Sequence, residues 1–308
     1  MPCLALVLEL HHPLPAPGRN VGRDWAVSAA GLFWPVLRAL NGFAERGGDA
    51  SITLAVSPSW TAQAADASAR EQVRRELERR VGDGRADRDL QRFFAASGGG
   101  DALSLLRRWN ATGGIDVIPT TATHTWLPSI ASERVLIQTQ VGLAAQDHAH
   151  RLEARPSGMW LPSLSYTPGV ELALAAHGLR FLGVATDAFL RGTVLPPSRA
   201  LAPMVTPVGV ATFAVSASPV ATAFDASVGY GRDPRYADPK QAPRAISDHA
   251  QHFLDRWVEQ AAAIPPGAEA AGEPLSVVAF SADDLARAWP SGGGPGWLAA
   301  LLNRLAGD

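Results

Sequence analysis

The sequence predicts an α/β protein built on a parallel barrel or a doubly wound sheet, and three observations predict it. Short apolar runs alternate with helical stretches along the chain, the pattern of consecutive βαβ units. Polar residues gather where apolar runs end, at Ser163 and Ser165 and again at Thr186 and Asp187; parallel α/β folds bind ligands at those C-terminal strand ends. Pro and Gly clusters fall after strands, as barrel loops would, and neither an internal repeat nor a two-domain linker interrupts them.

Taken in order, Leu4 to Leu8 form the first strand, followed by the loop HHPLPAPGRN. A helix from about Asp24 to Phe43 places Trp25, Leu32, Val36 and Leu40 on one face. Ile52 to Val56 form the second strand. Asp66 to Arg92 are rich in Arg, Glu and Asp, which reads as solvated helix laced with ion pairs. A further helix ends near Trp109, and Ile115 to Pro119 are a strand leading into TTATHTWLP. A helix from about Ser132 to Leu152 follows. Val170, Leu172, Leu174 and Ala175 lie at near-helical spacing, with Gly178 as C-cap, and Phe181 to Ala185 suit a buried parallel strand. Arg191 to Pro207 form a Pro-rich loop and Val208 to Val215 a strand. YGRDPRYADPKQAP is irregular, and ISDHAQHFLDRWVEQAAA is an amphipathic helix. Leu275 to Phe280 are the last strand, and Trp297 to Leu305 a closing helix.

Composition excludes several classes. With 47% hydrophobic and 18% charged residues in 308, the chain is globular and able to bury a sizeable core. A formal charge of −2 gives no reason to expect nucleic acid or an acidic membrane surface as partner. The single cysteine, Cys3, excludes an internal disulfide and a cysteine-based zinc cluster. MPCLALVLEL lacks a basic n-region and a cleavage site, so it reads as a strand and the expected location is cytoplasmic. Phosphate-loop, dinucleotide and zinc motifs are lacking, so no cofactor and no metal are expected.

One stretch carries a resemblance. GMWLPSLSYTPGVELALAAHGLRFLGVATDAF, from Gly158 to Phe189, resembles glycoside hydrolase family 57, especially its α-glucan branching enzymes, in its WLP tripeptide, Tyr-x-Pro-Gly helix start and closing Thr-Asp. The likeness extends over nearly the whole chain. LVLELHHPLP matches the family's first strand and loop at His11 and Pro13, with Glu9 where the first family His stands. IDVIPTTATHTWLP matches at Ala122, Thr123, His124, Leu127 and Pro128. SVGYGRDPRY retains Gly229, Tyr230, Asp233, Pro234 and Tyr236, and SDHAQHFLDRW resembles the H-A-x-H-F helix.

The resemblance implies a single distorted (β/α)7-type barrel over residues 1–308, without the family's C-terminal helical domain, and therefore a more open cleft or one completed by a protein partner. It also implies that the catalytic nucleophile, a Glu in the family, is Ser163 here, and that the acid/base Asp is Ser281. Serine supplies neither half of a double displacement. The expectation is thus a degenerate relative that binds an α-glucan or oligosaccharide, or scaffolds glycogen or trehalose metabolism. The alternatives are an active α-glucan hydrolase, glucanotransferase or branching enzyme using displaced carboxylates such as Asp187 with Asp283 or Asp284, and an interaction protein with a vestigial groove.

His11, His124, Trp126, Trp160, Asp187, Tyr230 and Asp233 are the candidate substrate-binding residues. Each has a plainer reading: a strand-end histidine satisfied by backbone, a tryptophan packed under the rim, a helix cap, or a Pro-fixed turn. His12 reads as solvent-facing or behind the site, Asp283 and Asp284 as a helix N-cap and a first-turn acid, His249 and His252 as helix-face packing, and His148 and His150 as solvated.

Overall fold

The computed structural model describes residues 3–15, 22–47, 50–84, 88–192, 199–263, 274–290 and 292–307. Parts of the predicted loops at 11–20 and 191–207 lie outside these residues.

The strands are β1 (Cys3–Leu10), β2 (Ile52–Val56), β3 (Ile115–Pro119), β4 (Phe181–Ala185), β5 (Met204–Val205), β6 (Ala211–Ser216) and β7 (Leu275–Ser281). Their order is β3-β2-β1-β7-β6-β4, all parallel, with β5 added antiparallel to β6 as a short hairpin. The circle is closed by two residues. Met159 N–H donates to Phe181 O (3.1 Å) and Trp160 N–H to Pro119 O (2.9 Å), which links β4 to β3 through parallel bridges. With that segment as a seventh stave the sheet is a distorted (β/α)7 barrel. The barrel reading prevails over the doubly wound alternative.

Strand alternation sorts the residues. Val7, Ala55, Ile118, Trp160, Val215 and Val277 pack together inside the barrel. Leu6, Leu8, Leu10, Leu54, Val56 and Val117 point outward against the helices. The Trp160 ring fits because residue 183 is glycine: a Cβ there would lie 2.7 Å from the indole.

The outer helices follow the predicted pattern. The first is one continuous run, Arg23–Ser28, a π-helical stretch Ala29–Phe33 and Trp34–Arg46, burying Trp25, Leu32, Val36 and Leu40. The charged segment forms Ala67–Gly82, laced by pairs such as Arg80–Glu76 (2.9 Å), and Arg88–Ala96. His148, read as solvated, is instead 6% exposed on the helix Arg134–Leu152.

The barrel is distorted at one seam. β7 pairs with β1 at seven positions but with β6 at only two, Val215↔Val277 and Ser216↔Val278. β6 therefore ends level with the middle of β7, and Ala279 to Ser281 run on past it. The cleft opens there.

Candidate functional site

A cavity of about 410 Å³ lies at the C-terminal face of the barrel, against that seam, and its walls include Glu9, Trp160, Ser163, Asp187, Ser216 and Ser281. Each residue arrives by a local rule. On β1, Ala5 and Val7 face the lumen, so Glu9 does too, one layer higher. Asp187 sits in the four-residue helix Thr186–Phe189 that follows β4 directly, and the Thr186 hydroxyl donates to Val215 O (2.9 Å), tying β4 to β6 beneath it. Trp160, 5% exposed, forms the floor.

The two serines are held differently. Ser163 and Leu164 follow each other in the left-handed region, at φ 55° and 52°, a backbone cost that for non-glycine residues concentrates at functional sites. Ser163 is exposed, and among the described residues its hydroxyl makes no hydrogen bond. Ser281 is the N-cap of the helix Ala282–Ala288 in a reciprocal box. Its Oγ accepts from Asp284 N–H (3.1 Å), while its own N–H and O–H donate to Asp284 Oδ2 (2.8 Å each). Asp284 also pairs with Arg287. Asp283 and Asp284 both lie in the first turn, and the N-cap expected at one of them is Ser281 instead.

Behind Glu9 stands a packed histidine pair. The His11 and His124 rings stack with centroids 3.6 Å apart and planes 8° from parallel. His11 Nδ1 is 3.0 Å from Ser57 Oγ, which is 3.0 Å from Ser59 Oγ; His124 Nδ1 is 3.4 Å from Thr120 Oγ1. His124 takes φ 54° to reach this position. Burial, then each other's proximity in the case of His11, pushes both imidazoles down to about 4, so they are neutral near pH 7. Neither is on the cavity wall itself. His12 is half-buried, hydrogen-bonded to Gln63 (3.3 Å) and edge-on to Trp25, so it backs the site rather than facing solvent.

Sequence reasoning placed Glu9 in the first motif yet left it out of the site. It is the most perturbed acid in the cleft. Burial, followed by the nearby charges of Asp284 and Asp283, raises it to about 7, against a hydrogen bond from Trp160 that acts the other way. Its Oε1 is buried without a hydrogen-bond partner, and His124 Nε2, 3.5 Å away, is too far to be one. The signal was present: the alternation of β1 fixes which face residue 9 occupies.

The remaining candidates are not gathered at the cavity. Trp126 stands 57% exposed on the loop after β3. Tyr230 and Asp233 belong to a separate cluster over the helix Ala242–Ala262. The Tyr230 hydroxyl is 2.6 Å from His252 Nδ1, and its ring stacks on His249 at 4.5 Å. Asp233 accepts from Arg235 N–H (2.9 Å) and Arg235 Nη2 (2.8 Å). Those contacts occupy both residues locally, and they give His249 and His252 the packing role read from sequence. Among the described residues no group of three or more His, Cys, Asp or Glu could hold a metal ion, and no helix is long and apolar enough to cross a membrane.

Known proteins share this architecture. An alpha-amylase from Thermotoga maritima superposes with TM-score 0.82 at 19% identity, covering 100% of this chain and 72% of that one. A branching enzyme of the same family from Pyrococcus horikoshii gives 0.80 at 20% identity, over 98% and 66%. In sequence, the 1,4-alpha-glucan branching enzyme of Thermococcus kodakarensis is 28% identical over 100 residues, a match spanning 28% of this chain and only 15% of that enzyme. At such identities the superpositions establish the fold. Residues 39–214, more than half of the chain, match the pattern of glycosyl hydrolase family 57. The closed seven-stave barrel and the sequence match agree, and the chain belongs to glycosyl hydrolase family 57.

Proposed function

We propose that this chain binds an α-glucan or a related oligosaccharide in the cleft and leaves its glycosidic bonds intact. The observation that carries this reading is the pair of serines at 163 and 281 on the cavity wall. Retaining hydrolysis needs two carboxyl groups about 5 to 5.5 Å apart across the scissile bond. The Ser163 hydroxyl has no base to activate it, and that of Ser281 is held inside a helix cap. What remains is a binding surface: the Trp160 floor and hydroxyl and amide groups from Ser216, Ser218 and Gln260, with Trp126, exposed on the loop after β3, as a second ring outside the cavity. The amylase and branching-enzyme activities of the similar proteins supply the ligand class.

The test is calorimetric titration with maltoheptaose and glycogen, with the same mixtures assayed for new reducing ends and for branch transfer. Binding without turnover is the expected result, and turnover overturns it. One observation favours a second reading. Glu9, Asp187 and Asp284 share the cavity wall, as an α-glucan hydrolase or glucanotransferase with displaced carboxylates would require, and the same assay selects between the two.

A further inference from the structure

Glu9 has no counterpart elsewhere in the cleft. It lies in register with Ser281 across the β1–β7 pair, and adjacent strands run about 4.8 Å apart. A carboxyl absent from β7 is therefore matched by one on the neighbouring strand, carried on a longer side chain and entering the same cavity. Below it are Val7 and Trp160, and beside it Ala279, all part of one apolar cluster. Its Oε1 is buried without a hydrogen-bond partner, with His124 Nε2 3.5 Å away, which disfavours the charged form of the acid.

The groups that face Glu9 define which form of it the site accepts. From β1 and the loop after β3 come His11 and His124, both neutral through the range from pH 6 upward. From the helix after β7 come Asp283 and Asp284, with Arg287 already paired to Asp284. The stave at 159–160 offers only the Trp160 indole N–H, and Asp187 lies on the wall after β4. Neither Lys nor Arg lines the cavity. A carboxylate here has the like charges of Asp283 and Asp284 near it and neither Lys nor Arg beside it, so the neutral acid, which carries an O–H donor, is the form the site favours.

We propose that Glu9 is the ligand-contacting acid of this cleft, and that its carboxyl O–H donates to an acceptor-only oxygen of a bound sugar, the glycosidic bridge or the ring oxygen. The inference deepens the glycan-binding reading and rests on it for the ligand. Ionisation of Glu9 removes the donor and places a negative charge against oxygen lone pairs. Affinity therefore falls as pH rises through neutrality.

The experiment titrates the full chain and its E9Q and E9A variants with maltoheptaose at pH 6 and pH 8.5, with circular dichroism verifying the fold in each case. Native affinity should drop about tenfold between the two pH values, the size of one lost hydrogen bond. E9Q keeps a donor as an amide N–H, so it should bind like the native chain at pH 6 and lose nothing at pH 8.5. E9A should bind about tenfold more weakly at pH 6. Native binding that is flat with pH, or E9A binding as tightly as native, overturns the role of Glu9 and leaves the glycan reading standing. Absence of native binding at both pH values overturns the two together.

Discussion

The two sides of the barrel mouth are made by opposite means. On the β1–β3 side the side chains are bonded to one another: Ser59 to Ser57, Ser57 to His11, His11 stacked on His124, His124 against Thr120. On the β4–β7 side the groups are either exposed, as Ser163 and Asp187 are, or used to start a helix, as Ser281 and Asp284 are. One side is a packed layer behind Glu9 and the cavity wall, and the other is an edge of the barrel where β6 stops short. The difference teaches that one barrel mouth can carry a side fixed by side-chain contacts next to a side whose groups are exposed or spent on capping a helix.

The sharpest way to break that contrast is to remove the floor both sides share. Trp160→Ala should destabilise the chain by about 3 to 5 kcal/mol, read as a lower midpoint in chemical denaturation, and should abolish maltoheptaose binding. If stability hardly changes, the barrel interior is not packed as described.

A smaller effect separates the buried side by pH. Glu9 is raised from about 4.5 to about 7 in the fold, so the folded state holds its proton more tightly than the unfolded chain does. The contribution to stability is complete below about pH 4.5 and is lost as pH rises through 7. Glu9→Gln should therefore stabilise the protein at pH 8 by roughly 2 to 3 kcal/mol and have little effect at pH 4.5, read as the difference in thermal midpoints at the two pH values. His11, His124 and His148 act in the other direction. Each is depressed from 6.5 to about 4, so stability present above pH 6.5 declines as pH falls toward 4.

On the open side the effects shrink. Ser281→Ala removes a helix cap and should cost about 1 kcal/mol while leaving glycan affinity unchanged; a large loss of affinity would return Ser281 to the binding surface. Trp126→Ala should change stability by less than about 0.5 kcal/mol yet weaken maltoheptaose binding. Unchanged binding would remove Trp126 from the site.

Periodicity made the scaffold legible. Six of the seven strands and their flanking helices follow from the apolar runs and helical spacing, whereas β5 falls inside the stretch read as a Pro-rich loop, and the direction of Glu9 is contained in the spacing Ala5, Val7, Glu9. Partners brought in from distant parts of the chain were not legible. Tyr230 and Asp233 lie in a stretch that resembles the family's, but nothing in the sequence marks His249 and His252 as the partners that occupy Tyr230. His148 sits among polar neighbours at Asp147 and His150, so local composition suggests solvent, and only the fold shows it buried. The use of Ser281 as a cap was readable from Asp284 three residues on, the spacing of a capping box.

The two-residue stave at Met159 and Trp160 gives the cleft a mechanical property. The residue that floors the cleft also closes the ring between β3 and β4. Any molecule resting on that indole presses on the keystone of the barrel, and its binding energy is added to the hoop that holds the staves together. Occupancy of the cleft should thus be readable far below it, as slower amide hydrogen exchange at Met159, Trp160 and the strand ends they join.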